Sequence, residues 1–318
     1  MTTRSLITPP RLRPGDTIGV IAPSSPQRDD ERLRRGIFWL RSCGFDVRDG
    51  AHLWNRFGYL AGSDRERLSD LNEMIADPAI AMIVAGRGGY GATRILDGID
   101  YDGLRRSPKI ILGFSDVTAI TMAQLGHAGV VGFSGAMPGV DLWQSPPDEY
   151  AVTSMLQTLT SDVPLGTIVP PAGDPDIEGM RPGSATGPLI AANLTLLATL
   201  CGTPYLPDMT GAILLIEEIG EESYRVDRLL SQLRNAGILD AISGLAYGAF
   251  TGSEPRRVSV EPLPMELVLA DYAAQANVPT IRNVPYGHID RKLTLPVGVM
   301  CRIDGTHGTM EMLESGVG

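Results

Sequence analysis

Short apolar runs alternate with amphipathic stretches through the first half of this chain, and that alternation predicts a parallel sheet covered by helices on both faces. The run Thr17 to Ala22 (TIGVIA), entered through Pro14-Gly15-Asp16, reads as the first strand. A helix follows, opened by Asp29 or Asp30, with Leu33, Ile37 and Leu40 on one face and Gly44 as its stop. Ser63 and Glu66 form a capping-box pattern ahead of a second helix striped by Leu68, Leu71 and Ile75. Next come a strand over Ala81–Ala85, a helix near Ala92–Leu96, a strand over Lys109–Leu112, a helix from about Val117 to Leu125, and the strand VVGF.

From Pro164 to Pro188 the pattern lapses into six prolines and five glycines, the composition of a linker. Beyond it AANLTLLATL reads as a helix, GAILLIEEIG as a strand and turn, YRVDRLLSQLRNAG as a helix ending in glycine, AISGLAYGAF as a strand and MELVLADYAAQA as a helix. The last forty residues read as strands and turns. The expected organisation is an N-terminal parallel α/β domain over 1–163, a linker over 164–188 and a smaller mixed β/α domain over 189–318.

Composition narrows the setting. Hydrophobic residues make up 43% of the 318 positions and charged ones 20%, as in globular domains. With 27 basic and 37 acidic side chains the formal charge is −10, which argues against nucleic acid or a membrane surface as a bulk partner. Prolines and charges occupy the N-terminus where a secretory signal needs an apolar segment, and no apolar run reaches the roughly 20 residues that span a bilayer. Cys43, Cys201 and Cys301 are scattered, without a C-x-x-C pair. These features lead to the expectation of a cytoplasmic protein.

Five features invite chemistry. Gly86, Gly88 and Gly91 spell G-x-G-x-x-G after a strand, as in a dinucleotide-binding turn, although such a fingerprint normally follows the first strand of its unit. Ser115, in LGFSDVTAI, stands where a strand gives way to a helix; there it can be a nucleophile beside helix N–H groups, or simply an N-cap. Ser134, in GFSGA, is its rival, but Met137-Pro138-Gly139 is poor material for starting a helix. Of four histidines, His52 and His127 read as surface residues and His307 as part of a hairpin tip, whereas His288 lies in a turn between strands, where catalytic side chains tend to sit. Glu217, Glu218, Glu221 and Glu222 follow a buried run; Glu217, directly after it, is best placed to hold an imidazole, while a solvated acidic loop is the alternative. No H-E-x-x-H, Cys/His cluster or Walker motif is present, so neither a metal nor another cofactor is expected.

Together GVIAPSSP, GRGGYGATRIL, GFSDVTA, IEEIGEESYRVDRLLSQLRNAG and YGH resemble the LD-carboxypeptidase family of serine peptidases, over almost the whole chain and in order. That family includes murein tetrapeptide carboxypeptidases and microcin C immunity peptidases. The resemblance implies an N-terminal domain like the class I glutamine amidotransferases and a Ser–Glu–His triad falling on Ser115, Glu217 and His288. It further implies an oxyanion hole from the backbone N–H groups of Asp116 and Gly89 or its neighbour, a small peptide substrate ending in a carboxylate, and a homodimer. Arg87, Tyr90 and Arg291 are candidates for substrate contacts. One departure is Glu218, where Asp is more usual.

Overall fold

The computed structural model describes residues 6–253 and 263–318. By its contacts the chain divides into two compact units, Met1–Pro164 with Leu293–Gly298 and Ser315–Gly318, and Leu165–Lys292 with Val299–Glu314.

In chain order the first unit carries β1 (Thr17–Ile21), α1 (Asp30–Ser42), β2 (Asp46–Asp49), α2 (Asp64–Ala76), β3 (Ile80–Ala85), α3 (Tyr101–Arg106), β4 (Ile110–Gly113), α4 (Thr118–Ala123), β5 (Gly132–Ser134) and α5 (Glu149–Thr160). The second carries β6 (Gly166–Thr167), β7 (Glu178–Arg181), β8 (Ser184–Asn193), α6 (Leu194–Leu200), β9 (Ile213–Ile219), α7 (Ser223–Asn235), α8 (Ile238–Ala241), β10 (Gly244–Thr251), α9 (Met265–Ala276) and β11 (Thr280–Arg282). The chain then returns to the first unit with β12 (Leu295–Val297) and closes the second with β13 (Met300–Asp304) and β14 (Thr309–Met312).

The first sheet runs β12-β5-β4-β3-β1-β2, parallel throughout except that β12 pairs antiparallel with β5. Val20, Ile83, Leu112 and Phe133 are fully buried in it, as parallel strands sandwiched by helices must be. Its order 2-1-3-4-5 reverses direction at β1 and β3, and in open α/β sheets the crevice beyond the carboxyl ends of the strands at such a point is where ligands bind. The turn APSSP leaves β1 there and the glycine turn leaves β3.

Local signals act as expected at several ends. Asp29 caps α1 by accepting from the Glu31 N–H, and Gly44 takes a left-handed φ of 89° just beyond that helix. Ser63 and Glu66 form the reciprocal capping box of α2. Two readings differ. The helix anticipated near Ala92–Leu96 is a pair of three-residue 3-10 turns, Ala92–Arg94 and Leu96–Gly98, entered from Gly91 at a left-handed φ of 129° and ending on Gly98, a poor helix former. The stretch AANLTLLATL is a helix only from Leu194; Ala191 and Ala192 belong to β8, and Asn193, its last residue, is also the N-cap, accepting from the Leu196 N–H.

The second sheet runs β6-β14-β13-β8-β9-β10-β11-β7, with β8, β9, β10 and β11 parallel and the flanking strands antiparallel. Residues 164–188, which composition casts as a linker, supply β6, β7 and the start of β8. Ile213, Leu214, Leu215 and Ile216 of β9 are entirely buried, and α7 packs on α6 and α9.

Candidate active site

At the end of β4 the chain turns sharply. Phe114 is extended, with φ −153° and ψ 165°, and Ser115 then takes φ 62° before a 3-10 turn leads into α4. Among the described residues the other non-glycine positions with positive φ are Asn277 and Asn283. Asparagine tolerates this region; serine at a strand-to-helix elbow is held there by its surroundings, at a cost of about 1–3 kcal/mol. The surroundings are visible. The buried Asp116 side chain accepts from Ser24 Oγ at 2.6 Å and from the Ala92 N–H at 2.8 Å, tying the elbow to the turns after β1 and β3.

The glycine turn lies directly against this elbow. A Cβ on Gly88 would stand 2.9 Å from Phe114 O, 3.0 Å from Ser115 Cβ and 3.3 Å from Asp116 N, so only glycine lets the two backbones meet. Gly89, with φ 120°, instead approaches Ser25, whose Oγ accepts from the Tyr90 N–H at 3.1 Å. Gln27 Nε2 donates to Gly86 O at 3.0 Å. The buried Arg67 donates to Gly91 O at 2.9 Å and to Pro23 O, and pairs with Asp64. The turn thus runs into a 3-10 turn and is clamped from below by an arginine. A dinucleotide cradle would instead open an α-helix whose N–H groups meet a pyrophosphate.

In the second unit, Glu217 and Glu218 lie inside β9 rather than at its exit, since the strand extends to Ile219. Glu217 is fully buried, and its Oε2 is 2.8 Å from His288 Nδ1; the ring belongs to a side chain 19% exposed. With Nδ1–H donated to the carboxylate, Nε2 is the acceptor nitrogen of a neutral ring, an assignment that follows from the hydrogen bond. Gly248 makes room for this pair: a Cβ there would meet Tyr286 O at 2.2 Å and Glu217 Cβ at 3.4 Å, at an irregularity in β10 between Tyr247 and Phe250. The structure therefore unites Glu217 and His288 in one unit and sets Ser115, Asp116 and the glycine turn together in the other.

The remaining candidates separate by their surroundings. Ser134 is buried as the last residue of β5, in register with Gly113 and Leu295. His52 and His127 are half-buried rather than superficial: the first pairs with Asp70 at 2.7 Å, the second stacks on Tyr101 at 4.9 Å. His307 binds Asp304 within its turn at 3.0 Å. Arg291 is engaged by Asp174 and by Ala172 O. Arg87 is half-buried, donates to Pro26 O at 3.1 Å, and is held below its ordinary pKa by burial and then by the nearby Arg28. Tyr90 is 49% exposed and meets Tyr59 edge-on at 5.5 Å.

Two cavities stand out among the described residues, one in each unit. One of 570 Å³ in the second unit runs along the residues after His288, past Tyr247, Gly248, Arg282, Asp290 and Arg291. A larger groove of 1120 Å³ in the first unit follows the outer face of α1, by Trp39, Trp54 and Trp143, and touches none of the candidates. Among the described residues no group of three or more His, Cys, Asp or Glu side chains is arranged to hold a metal, and no helix is long and apolar enough to cross a membrane.

Several residues of this architecture escape sequence reasoning. Ser24 and Arg67 act through contacts distant in the chain, as does Gly88, visible in the sequence only as one glycine of the turn and not by its approach to Ser115. Asn193, which donates to both Glu217 and Glu218, carries one readable signal, an asparagine just ahead of an apolar helical run.

Residues 18–135 match the LD-carboxypeptidase N-terminal domain and residues 186–303 the LD-carboxypeptidase C-terminal domain. A probable murein peptide carboxypeptidase of Bacillus subtilis is 35% identical over 317 residues, covering 97% of this chain and 95% of that protein. The crystal structure of the muramoyltetrapeptide carboxypeptidase from Oxalobacter formigenes superposes with a TM-score of 0.80 at 31% identity, covering 93% and 97% of the two chains. The microcin C7 self-immunity protein MccF, in complex with aspartyl sulfamoyl adenosine, does so with a TM-score of 0.89 at 25% identity, covering 98% and 100%.

Proposed function

Because this chain belongs to the LD-carboxypeptidase family, we propose that it is a serine peptidase releasing the terminal D-Ala of murein tetrapeptides from the L-centre of diaminopimelate or Lys, in cytoplasmic cell-wall recycling and as a homodimer. In this reading Ser115 is the nucleophile. His288 takes its proton through Nε2, and Glu217 holds Nδ1–H and stabilises the imidazolium that forms. The developing oxyanion is met by the Asp116 N–H and an N–H of the glycine turn, Gly89 or the adjacent Gly88. The acyl-enzyme is then resolved by water, with His288 as base. The substrate's carboxylate calls for a cation. Arg87, whose burial disfavours an unpaired charge, suits that role better than Arg291, which already has Asp174. Tyr90, exposed on the same turn, is in place to pack on the peptide.

The observation that carries this reading is the left-handed backbone of Ser115 at the carboxyl edge of β4. A second reading keeps the three residues and changes the substrate to an aminoacyl- or peptidyl-nucleotide amide; the TM-score of 0.89 with MccF favours it, whereas the higher identities to murein peptidases favour the first. The test is incubation with a free murein tetrapeptide and, separately, an aminoacyl-nucleotide amide, using wild type, Ser115→Ala and Ser134→Ala. D-Ala release by wild type and Ser134→Ala but not Ser115→Ala is expected. Cleavage of the nucleotide amide alone selects the second reading, and loss of activity in Ser134→Ala alone overturns the nucleophile.

A further inference from the structure

The adjacent acids of β9 are coupled. Consecutive strand positions face opposite sides of a sheet, yet both carboxylates reach one amide: Asn193 Nδ2 donates to Glu217 Oε1 and to Glu218 Oε1, each at 3.1 Å. The orientation of that amide follows from its other end, where Asn193 Oδ1 accepts from the Leu196 N–H at 3.1 Å. Glu218 is itself pinned. Its Oε1 also accepts from the Ile219 N–H at 2.8 Å, and its Oε2 accepts from the Thr195 N–H at 2.9 Å and the Thr195 hydroxyl at 2.6 Å. Four donors match the acceptor capacity of an ionised carboxylate. Burial pushes Glu218 above the usual carboxylate range, and the bonds from Thr195, Ile219 and Asn193 oppose that rise. A buried acid so fully supplied with donors is a rigid anchor.

We propose that Glu218 is a positioning residue: it clamps Asn193, whose other amide proton fixes Glu217 Oε1 so that Glu217 Oε2 faces His288 Nδ1. The chain of contacts runs from Glu218 through Asn193 and Glu217 to His288, entirely within the second unit. Glu218 touches no reacting atom; it acts by holding the carboxylate that holds the ring. Its consequence for turnover rests on the serine-peptidase reading, whereas its consequence for the ring does not.

The experiment follows the downfield Nδ1–H resonance of His288 by NMR, assigned against His288→Gln, in wild type, Glu218→Gln and Thr195→Val. In Glu218→Gln an NH2 replaces one acceptor oxygen and confronts the N–H donors around it. The His288 Nδ1–H should then exchange with water at least about tenfold faster, and kcat for D-Ala release should fall about tenfold or more with KM little changed, as for a slightly misplaced catalytic group. Thr195→Val removes one donor, keeps the carboxylate, and should move both readouts the same way by less. A Glu218→Gln protein that melts earlier but keeps the wild-type resonance and kcat overturns the proposal, because Glu218 is then structural only. If Glu218→Gln does not fold, an unchanged resonance in Thr195→Val overturns it equally. If wild type releases no D-Ala, the functional reading fails, and the exchange rate alone decides whether the clamp exists.

Discussion

Replacing Gly88 by alanine tests how the elbow is built. The new Cβ would lie 3.0 Å from Ser115 Cβ and 2.9 Å from Phe114 O, and neither atom is the end of a flexible side chain. Restoring an ordinary carbon–carbon separation of 3.5–4.0 Å requires the elbow and the glycine turn to part by about 0.5–1 Å. Overpacking of this kind costs about 1–3 kcal/mol. A misplacement near 1 Å costs about 100-fold in rate. Gly15→Ala is the matched control: its φ is 86° with nothing within 4 Å, so it should lose about 1–2 kcal/mol through backbone strain alone. Both variants should melt a few degrees early, at about 2–4 °C per kcal/mol for a domain of 150–250 residues. D-Ala release should separate them, with kcat down about 100-fold in Gly88→Ala and unchanged in Gly15→Ala. Wild-type turnover by Gly88→Ala would refute the claim that this glycine sets the position of Ser115.

Three further outcomes follow from the same contacts. Glu217→Gln should preserve the fold yet reduce kcat by about 10³–10⁴-fold, because an amide no longer enforces the Nδ1–H tautomer of His288; steady-state kinetics with circular dichroism checks it. Arg67→Ala should lower stability by roughly 2–5 kcal/mol in urea unfolding, since it leaves the Pro23 and Gly91 carbonyls without their buried donor and opens a cavity. Asp304 is held down to about 2, first by the His307 ring and then by the His307 and Thr306 N–H groups. A depressed acid stabilises the fold above its unfolded value, near 4, and loses that contribution as pH falls toward 2; in His307→Ala the Asp304 carboxyl, followed by NMR, should titrate at higher pH.

The sequence shows the first sheet well because its central strands are continuous apolar runs and its helices are capped by Asp29 and the Ser63–Glu66 box. It hides β2, whose residues DVRD form a largely exposed edge strand with no apolar run to betray it. Ser115 is legible as a polar residue at a strand end, and His288 as one in a turn between strands. Glu217 stands out among the four acids by following the apolar run directly, but nothing local says that β9 continues to Ile219 and carries two carboxylates into its buried interior. Which of the four clustered glycines faces Ser115 is likewise invisible: the choice of Gly88 is made by the register of β3 against β4, not by local spelling.

The return of β12 to the first sheet has a temporal consequence. Until Leu295–Val297 is made, the β5 edge of the parallel sheet has no partner on that side. At a translation rate of about 5–20 residues per second, the gap between β5 and β12 amounts to roughly 10–30 s of synthesis. During that interval a nascent chain presents an unpaired strand beside an apolar sheet, the kind of edge that recruits other chains. The emerging protein therefore has a window of vulnerability to aggregation that closes only when the last strand of its first sheet leaves the ribosome.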